Sequence, residues 1–157
     1  MRREFAELIY KMMSEEPGIV IVTADLGYGM WDRIKSTFPD RFYNVGAAEI
    51  FGLSFCVGLS YMGYKPIFYS ITPFALWRPA EVIRNYLNHE KAKVLIALSG
   101  RGKDYTHDGF SHDASDAKKF AGMFKNIRYL EPVDANEMIS MMTAKPFYAP
   151  AIISLKR

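Results

Sequence analysis

Glu49 is set apart by its neighbours. It lies in the stretch 42–66, FYNVGAAEIFGLSFCVGLSYMGYKP, and every residue from Val45 to Leu53 other than Glu49 itself is small or apolar. A carboxylate in the first turn of a helix gains a few tenths to about 1 kcal/mol from the helix dipole, which is one reading. The other is a carboxyl group sheltered from water, able to donate or share a proton with a ring nitrogen of a bound ligand. A second concentration of polar chemistry is the loop 99–113, SGRGKDYTHDGFSHD, which carries Arg101, His107, Asp108 and His112. Loops of this length in a compact domain are either functional or disordered, and histidine, titrating near neutrality, suits proton transfer. His107 and His112 without a nearby cysteine make a weak zinc pattern, so no metal is expected on this chain. Arg101 either meets an anionic group or is solvated. Asp25, in TADLG, either accepts backbone N–H groups at a strand end or faces a ligand, and Phe74 and Trp77 are either core or a stacking pair.

The elements that must position these residues alternate along the chain. Phe5, Leu8, Ile9, Met12 and Met13 recur at helical spacing before Pro17-Gly18, which predicts an amphipathic helix over 2–15. Ile19 to Thr23 reads as a buried parallel strand that delivers Asp25 to its carboxyl edge, where ligands bind in such sheets. Further strands are expected at 41–45, 66–71, where Pro73 breaks the run, 93–98, 127–130 and 151–155, the last closing the sheet. Helices are expected at 30–38, 47–62, from Pro79 onward, at 114–123 and after Asp134 as N-cap. The helix after Gly46 has no polar face, and Gly52, Ser54, Gly58 and Ser60 permit close backbone approach. Such a helix packs on a sheet on one side and on a second surface, expected to be another chain, on the other. The alternation predicts one domain over 1–157, an α/β doubly wound, mostly parallel sheet with helices on both faces.

Composition narrows the class of function. The net charge is +3 with scattered Lys and Arg, so neither nucleic acid nor an anionic membrane is expected as partner. The start, MRREFAELIYKMM, has no apolar core of signal-peptide type. The single cysteine, Cys56, has no disulfide partner and reads as a small buried hydrophobe, in keeping with a reducing cytoplasm. Hydrophobic residues make up 50% and aromatic residues 15% of the chain, a surplus of the kind that ends in a subunit interface.

The segment NVGAAEIFGLSFCVGLSYMGYKPIF resembles the pyrimidine-binding (Pyr) domain of transketolase-like thiamine diphosphate enzymes, with its N-V-G-x-x-E, small-residue helix and G-x-x-P. The resemblance runs from about Phe5 to Lys156 and includes TADLG, ITPFALWRPAEVIRN, THDGFSHD and KNIRYLEPVDANE in order. It implies the thiamine diphosphate-binding, Pyr-type fold. It implies Asp25, Glu49, Phe74 and Trp77 at the cofactor, Glu49 and His112 as catalytic groups, and Arg101, His107, Asp108 and His112 at the substrate. Glu49 would hydrogen-bond a pyrimidine nitrogen and favour the imino form of that ring, which supplies the base for thiamine chemistry. Two positions depart from the pattern: Ile71 stands where phenylalanine is usual, and Gly100 where sugar-using transketolases often have histidine.

No G-D-G…N diphosphate pattern occurs in the chain. The resemblance therefore implies one subunit of a split transketolase, inactive without a separate diphosphate-binding chain that carries Mg2+ or Ca2+. The expected assembly is a heterotetramer with two copies of each chain sharing thiamine diphosphate, or a homodimer when the chain is alone. The expected reaction transfers a two-carbon ketol or related acyloin unit. Alternatives are a β-type component of a 2-oxoacid decarboxylase or dehydrogenase, a non-catalytic Pyr-like assembly module and, with coincidental motifs, a flavodoxin-like binding domain.

Overall fold

Period-two alternation in short β-branched runs builds the centre of the molecule. In strand β1 (Ile19–Thr23), Ile19 and Ile21 point to one face and Val20 and Val22 to the other, and all four are buried. The computed structural model describes residues 1–144 and 147–157. Strands β2 (Phe42–Asn44), β3 (Lys65–Ile71), β4 (Leu95–Ser99), β5 (Arg128–Leu130) and β6 (Ala151–Leu155) join β1 in one sheet of order β2-β1-β3-β4-β6-β5. Every pairing is parallel. β6, last in the chain, is therefore interior, lying between β4 and β5, and does not close an edge.

A parallel sheet must be covered on both faces, and it is. On one face α3 (Glu49–Tyr61), α4 (Thr72–Trp77) and α6 (Ala117–Ala121) bring Leu53, Cys56, Val57, Leu76 and Phe120 onto Val20, Val22, Phe68 and Ile96. On the other, α1 (Arg2–Glu15), α2 (Asp32–Thr37) and α7 (Ala135–Thr143) set Phe5, Ile9, Ile34 and Met138 against Ile19, Ile21, Ile67 and Leu95. Arg41 closes the carbonyl end of α1, donating to Met13 O at 3.0 Å and Glu16 O at 3.1 Å. Asp134 caps α7 by accepting from Glu137 N at 2.9 Å. No helix among the described residues is long and apolar enough to cross a membrane.

Several elements differ from the sequence reading: α6 spans Ala117–Ala121 where 114–123 is expected, β4 starts at Leu95 where 93 is expected, and three further differences have a local cause. Pro73 does more than end β3: it sits in the first turn of α4, where its missing N–H costs nothing. The helix from Pro79 begins as α5 (Ala80–Val82) and continues as a π-helix over Ile83–His89. α2 starts at Asp32, because Gly27 and Gly29 hold left-handed backbone just before it, and a Cβ at Gly27 would lie 2.3 Å from Trp31 Cδ1.

Helix α3 buries Glu49, Gly52, Leu53, Cys56, Val57 and Leu59, while Ile50, Phe51, Tyr61 and the following Met62 are exposed. Its second apolar side faces outward from this chain. Burial pushes the Cys56 thiol up, so the group is uncharged at neutral pH. Gly52 is where helix and sheet approach closest, since a Cβ there would lie 2.7 Å from Phe68 Cε2 and 3.0 Å from Val45 Cγ2. Gly58, on the exposed side, has no atom within 4 Å of that position. Gly52→Ala is expected to cost about 1–3 kcal/mol by overpacking. Gly58→Ala is expected to be neutral or to stabilise by up to about 1 kcal/mol. Chemical denaturation of both variants checks the pair; equal effects would contradict this packing.

Candidate functional site

Because every strand runs the same way, the segments leaving β1, β2, β3 and β4 all emerge at one edge of the sheet. These segments carry Asp25, Glu49, Phe74 with Trp77, and the loop from Ser99 to Asp113. Asn44, at the end of β2, links the first two. Its Oδ1 accepts from both Asp25 N and Gly46 N at 3.0 Å, fixing Asp25 in a left-handed conformation (φ 49°) and holding the turn that leads to Glu49. The Asp25 carboxylate accepts from the Tyr28 hydroxyl, and this bond raises the Tyr28 pKa above its usual value.

Glu49 is the first residue of α3 and only 3% exposed. Its carboxylate is not left in an apolar shell. Arg78, following α4, places Nη1 at 2.7 Å from both Oε1 and Oε2. The same guanidinium lies over the Phe74 ring, 3.9 Å from its centroid, and Phe74 meets the His112 ring edge-on at 4.9 Å. Glu49, Arg78, Phe74 and His112 thus form one continuous chain of contacts. Arg78 was not among the residues singled out from sequence. Two signals pointed to it: a sheltered carboxylate needs a cation, and Arg78 stands one helical turn after Phe74.

The other expected site residues are placed as follows. Trp77 is half-exposed; its Nε1 donates to Asp116 Oδ2 at 3.2 Å and its ring packs against Phe120 at 4.8 Å. Arg101 is turned onto β6 and β5: its Nε donates to Ser154 Oγ at 3.2 Å and lies 3.7 Å from Glu131 Oε1. His107 is exposed, its Nε2 between Asp108 Oδ2 at 3.3 Å and Arg157 Nη1 at 3.4 Å. The loop is closed at its base by Ala114 N donating to Gly102 O at 2.8 Å, and within it Thr106–Asp108 and Phe110–His112 form single 3-10 turns. Thr72, at the start of α4, donates to Ser99 O at 3.1 Å and ties α4 to the loop.

Gly100 has φ 85°, and a Cβ there would lie 2.3 Å from the Tyr105 ring. A side chain at that position would require the Tyr105 ring to shift. Tyr105 OH lies 3.1 Å from Ser99 Oγ, and the guanidinium carbons of Arg2 and Arg157 lie 5.9 Å and 5.2 Å from the Tyr105 ring centroid. Arg2, Arg3 and Arg157 line an open cleft of about 710 Å3 together with Glu4, Glu7 and the turn from Leu26 to Met30. The cations facing this cleft are therefore residues from the two ends of the sequence, which no local pattern marked.

The Asn44 bonds predict a local effect. Asn44→Ala removes one acceptor serving two exposed amides and is expected to cost about 1 kcal/mol. Amide hydrogen exchange at Asp25 and Gly46 checks it, since both should lose protection while the amides of β3 do not.

The description "Transketolase, pyrimidine binding domain" matches residues 1–157. The 1-deoxy-D-xylulose-5-phosphate synthase of Caldanaerobacter subterraneus subsp. tengcongensis is 31% identical over 140 residues, covering 88% of this chain and 22% of that protein. The putative transketolase C-terminal section of Methanocaldococcus jannaschii is 28% identical over 135 residues, 85% of this chain and 43% of that protein. The chain thus spans less than half the length of these relatives. Among solved structures, a split gene transketolase described as an inactive β4 tetramer superposes with a TM-score of 0.86 at 28% identity, over 99% of this chain and 51% of that one. The transketolase from Leishmania mexicana superposes with a TM-score of 0.87 at 16% identity, over 99% and 25%, a likeness of fold. With its whole described length matched and its parallel sheet shared, this chain belongs to the transketolase pyrimidine-binding domain family.

Proposed function

We propose that this chain is the pyrimidine-binding part of a thiamine diphosphate-dependent, transketolase-like enzyme that transfers a two-carbon ketol unit. The observation that carries the reading is Glu49: a carboxylate 3% exposed, at the carboxyl edge of a parallel sheet, beside an aromatic ring and a histidine. These residues fit the cofactor's aminopyrimidine. Glu49 offers a sheltered oxygen for a ring nitrogen, and Phe74 offers an aromatic face. When bound, thiamine diphosphate supplies the nucleophilic carbon and the electron sink that protein side chains lack. Glu49 holds the proton shared with the ring. His112, packed on Phe74, is placed to exchange protons with the substrate, and Asp25, held by Asn44, flanks the same edge.

The diphosphate and its Mg2+ or Ca2+ fall to a diphosphate-binding partner chain, in a heterotetramer of two copies of each. The similarity to a split gene transketolase supports this arrangement, and so does the outward apolar side of α3, where Ile50 and Phe51 are 57% and 62% exposed next to Glu49. Alone, the chain is expected to self-associate and remain inactive, as the description of that neighbour as an inactive β4 tetramer suggests. The cleft bearing Arg2, Arg3 and Arg157 favours a substrate with an anionic group. It also supports a second reading, formation of a phosphorylated deoxyketose, suggested by the relatives named 1-deoxy-D-xylulose-5-phosphate synthase.

Two measurements test the proposal. Mixed with a diphosphate-binding chain that carries G-D-G…N, the protein is expected to co-elute on gel filtration and gain thiamine diphosphate-dependent turnover; failure to co-elute removes the split arrangement. In that complex Glu49→Gln is expected to lower kcat by about 100-fold or more with assembly intact. Unchanged turnover would leave a non-catalytic assembly module as the better description.

A further inference from the structure

Arg78 makes two contacts, and they are the two that the proposed ligand needs. Its guanidinium lies 3.9 Å from the centroid of Phe74, and its Nη1 reaches both oxygens of Glu49 at 2.7 Å. A guanidinium is a planar, delocalised N–H donor, and in both respects it resembles an aminopyrimidine ring seated against a carboxylate and an aromatic face. The guanidinium and the ring cannot hold the same carboxylate and the same face at once. We propose that Arg78 is a positioning residue that occupies the pyrimidine's seat, keeps the Glu49 carboxylate and the Phe74 ring aligned in the empty site, and swings out when the ring enters. The inference rests on the reading of Glu49 and Phe74 as the pyrimidine site.

The local structure permits the exchange. Arg78 lies between the end of α4 at Trp77 and the start of α5 at Ala80, and its side chain is 44% exposed while that of Glu49 is 3% exposed. Among the described residues it makes no other hydrogen bond or ion pair. The cation can therefore reach water when displaced, whereas the carboxylate cannot. A buried carboxylate left without a partner is strongly unfavourable, so a cation that withdraws only as a ring nitrogen arrives avoids that state at every stage.

A seat occupied in about nine-tenths of molecules weakens apparent cofactor affinity about tenfold, so emptying it permanently strengthens affinity by that factor. In the complex with the diphosphate-binding chain, Arg78→Gln is expected to lower the Kd for thiamine diphosphate about tenfold, with Arg78→Lys, which keeps the charge and loses the plane, in between. An unchanged or weaker affinity in Arg78→Gln overturns the inference. Glu49→Gln separates this from the parent reading: if it changes neither affinity nor turnover, the reading of the site falls and the inference with it. If Glu49→Gln is impaired while Arg78→Gln binds no tighter, only the inference falls. A measurement on the unaltered protein covers variants that fail to fold. With arginine labelled by nitrogen-15 in this chain alone, the Arg78 Nη–H resonances of the complex are expected to move to the position of solvated arginine on saturation with thiamine diphosphate, and resonances that stay at their paired position overturn the proposal.

Discussion

Taking the Glu49 carboxylate out of water is the constraint to which its surroundings respond. An isolated buried carboxylate is costly enough that proteins pair it, neutralise it or expose it. Here it is paired. The first turn of α3 contributes favourably through the helix dipole, but that contribution is at most about 1 kcal/mol and would not hold such a group alone. The larger compensation is the Arg78 guanidinium, which bonds both oxygens, and that in turn requires Phe74 beneath it to fix the plane of the cation. The buried carboxylate is thereby held by a contact with Arg78, the most exposed of the three.

The contact depends on topology. Glu49 leaves β2 and Arg78 leaves β3, yet these strands are separated in the sheet by β1. Their side chains meet because all three strands are parallel and their carboxyl ends lie close in register: Thr23, the last residue of β1, pairs with Asn44, the last of β2, and with Tyr69, two residues before the end of β3. Gly52 then lets α3 lie close on Phe68, bringing its first turn toward the edge. A strand shifted by one residue would reverse which side chains face α3 and would separate the pair. Asn44 adds the finer adjustment, with one side-chain oxygen serving the backbone of both neighbouring loops.

The strands and the Glu49 helix were legible because their signals are local. Ile19–Thr23 and Ala151–Leu155 are short apolar runs with many β-branched residues, and the company of Glu49 is written in the eight residues around it. What depends on order in space was not legible. Arg101 reads as a loop cation, but it is held by Ser154 and Glu131 because β6 is inserted between β4 and β5, and Leu98 of β4 pairs with Ser154 of β6. No periodicity in the sequence specifies that insertion. Proline gave the opposite error. Pro73 reads as a strand breaker and is one, but the same fixed φ starts α4 at once, so the helix that presents Phe74 and leads to Arg78 was hidden behind a correct local rule.

Gly100 shows how a departure from a family pattern can be structural in its cause. A histidine there would put a Cβ 2.3 Å from the Tyr105 ring on a left-handed backbone, so it would require Tyr105 to move and the backbone to carry strain. Tyr105 fills the space, and it brings a different chemistry with it. Its hydroxyl meets Ser99, which also accepts from Arg2, and its ring lies within reach of the Arg2 and Arg157 guanidinium groups. The position of a group that titrates near neutrality is thereby given to a platform that gathers cations charged at every physiological pH beside the cleft. The histidines that remain at this edge, His107 and His112, both lie on the loop, one exposed beside Arg157 and the other packed on Phe74. Of the two, His112 is the histidine joined by contact to Glu49 through Phe74 and Arg78.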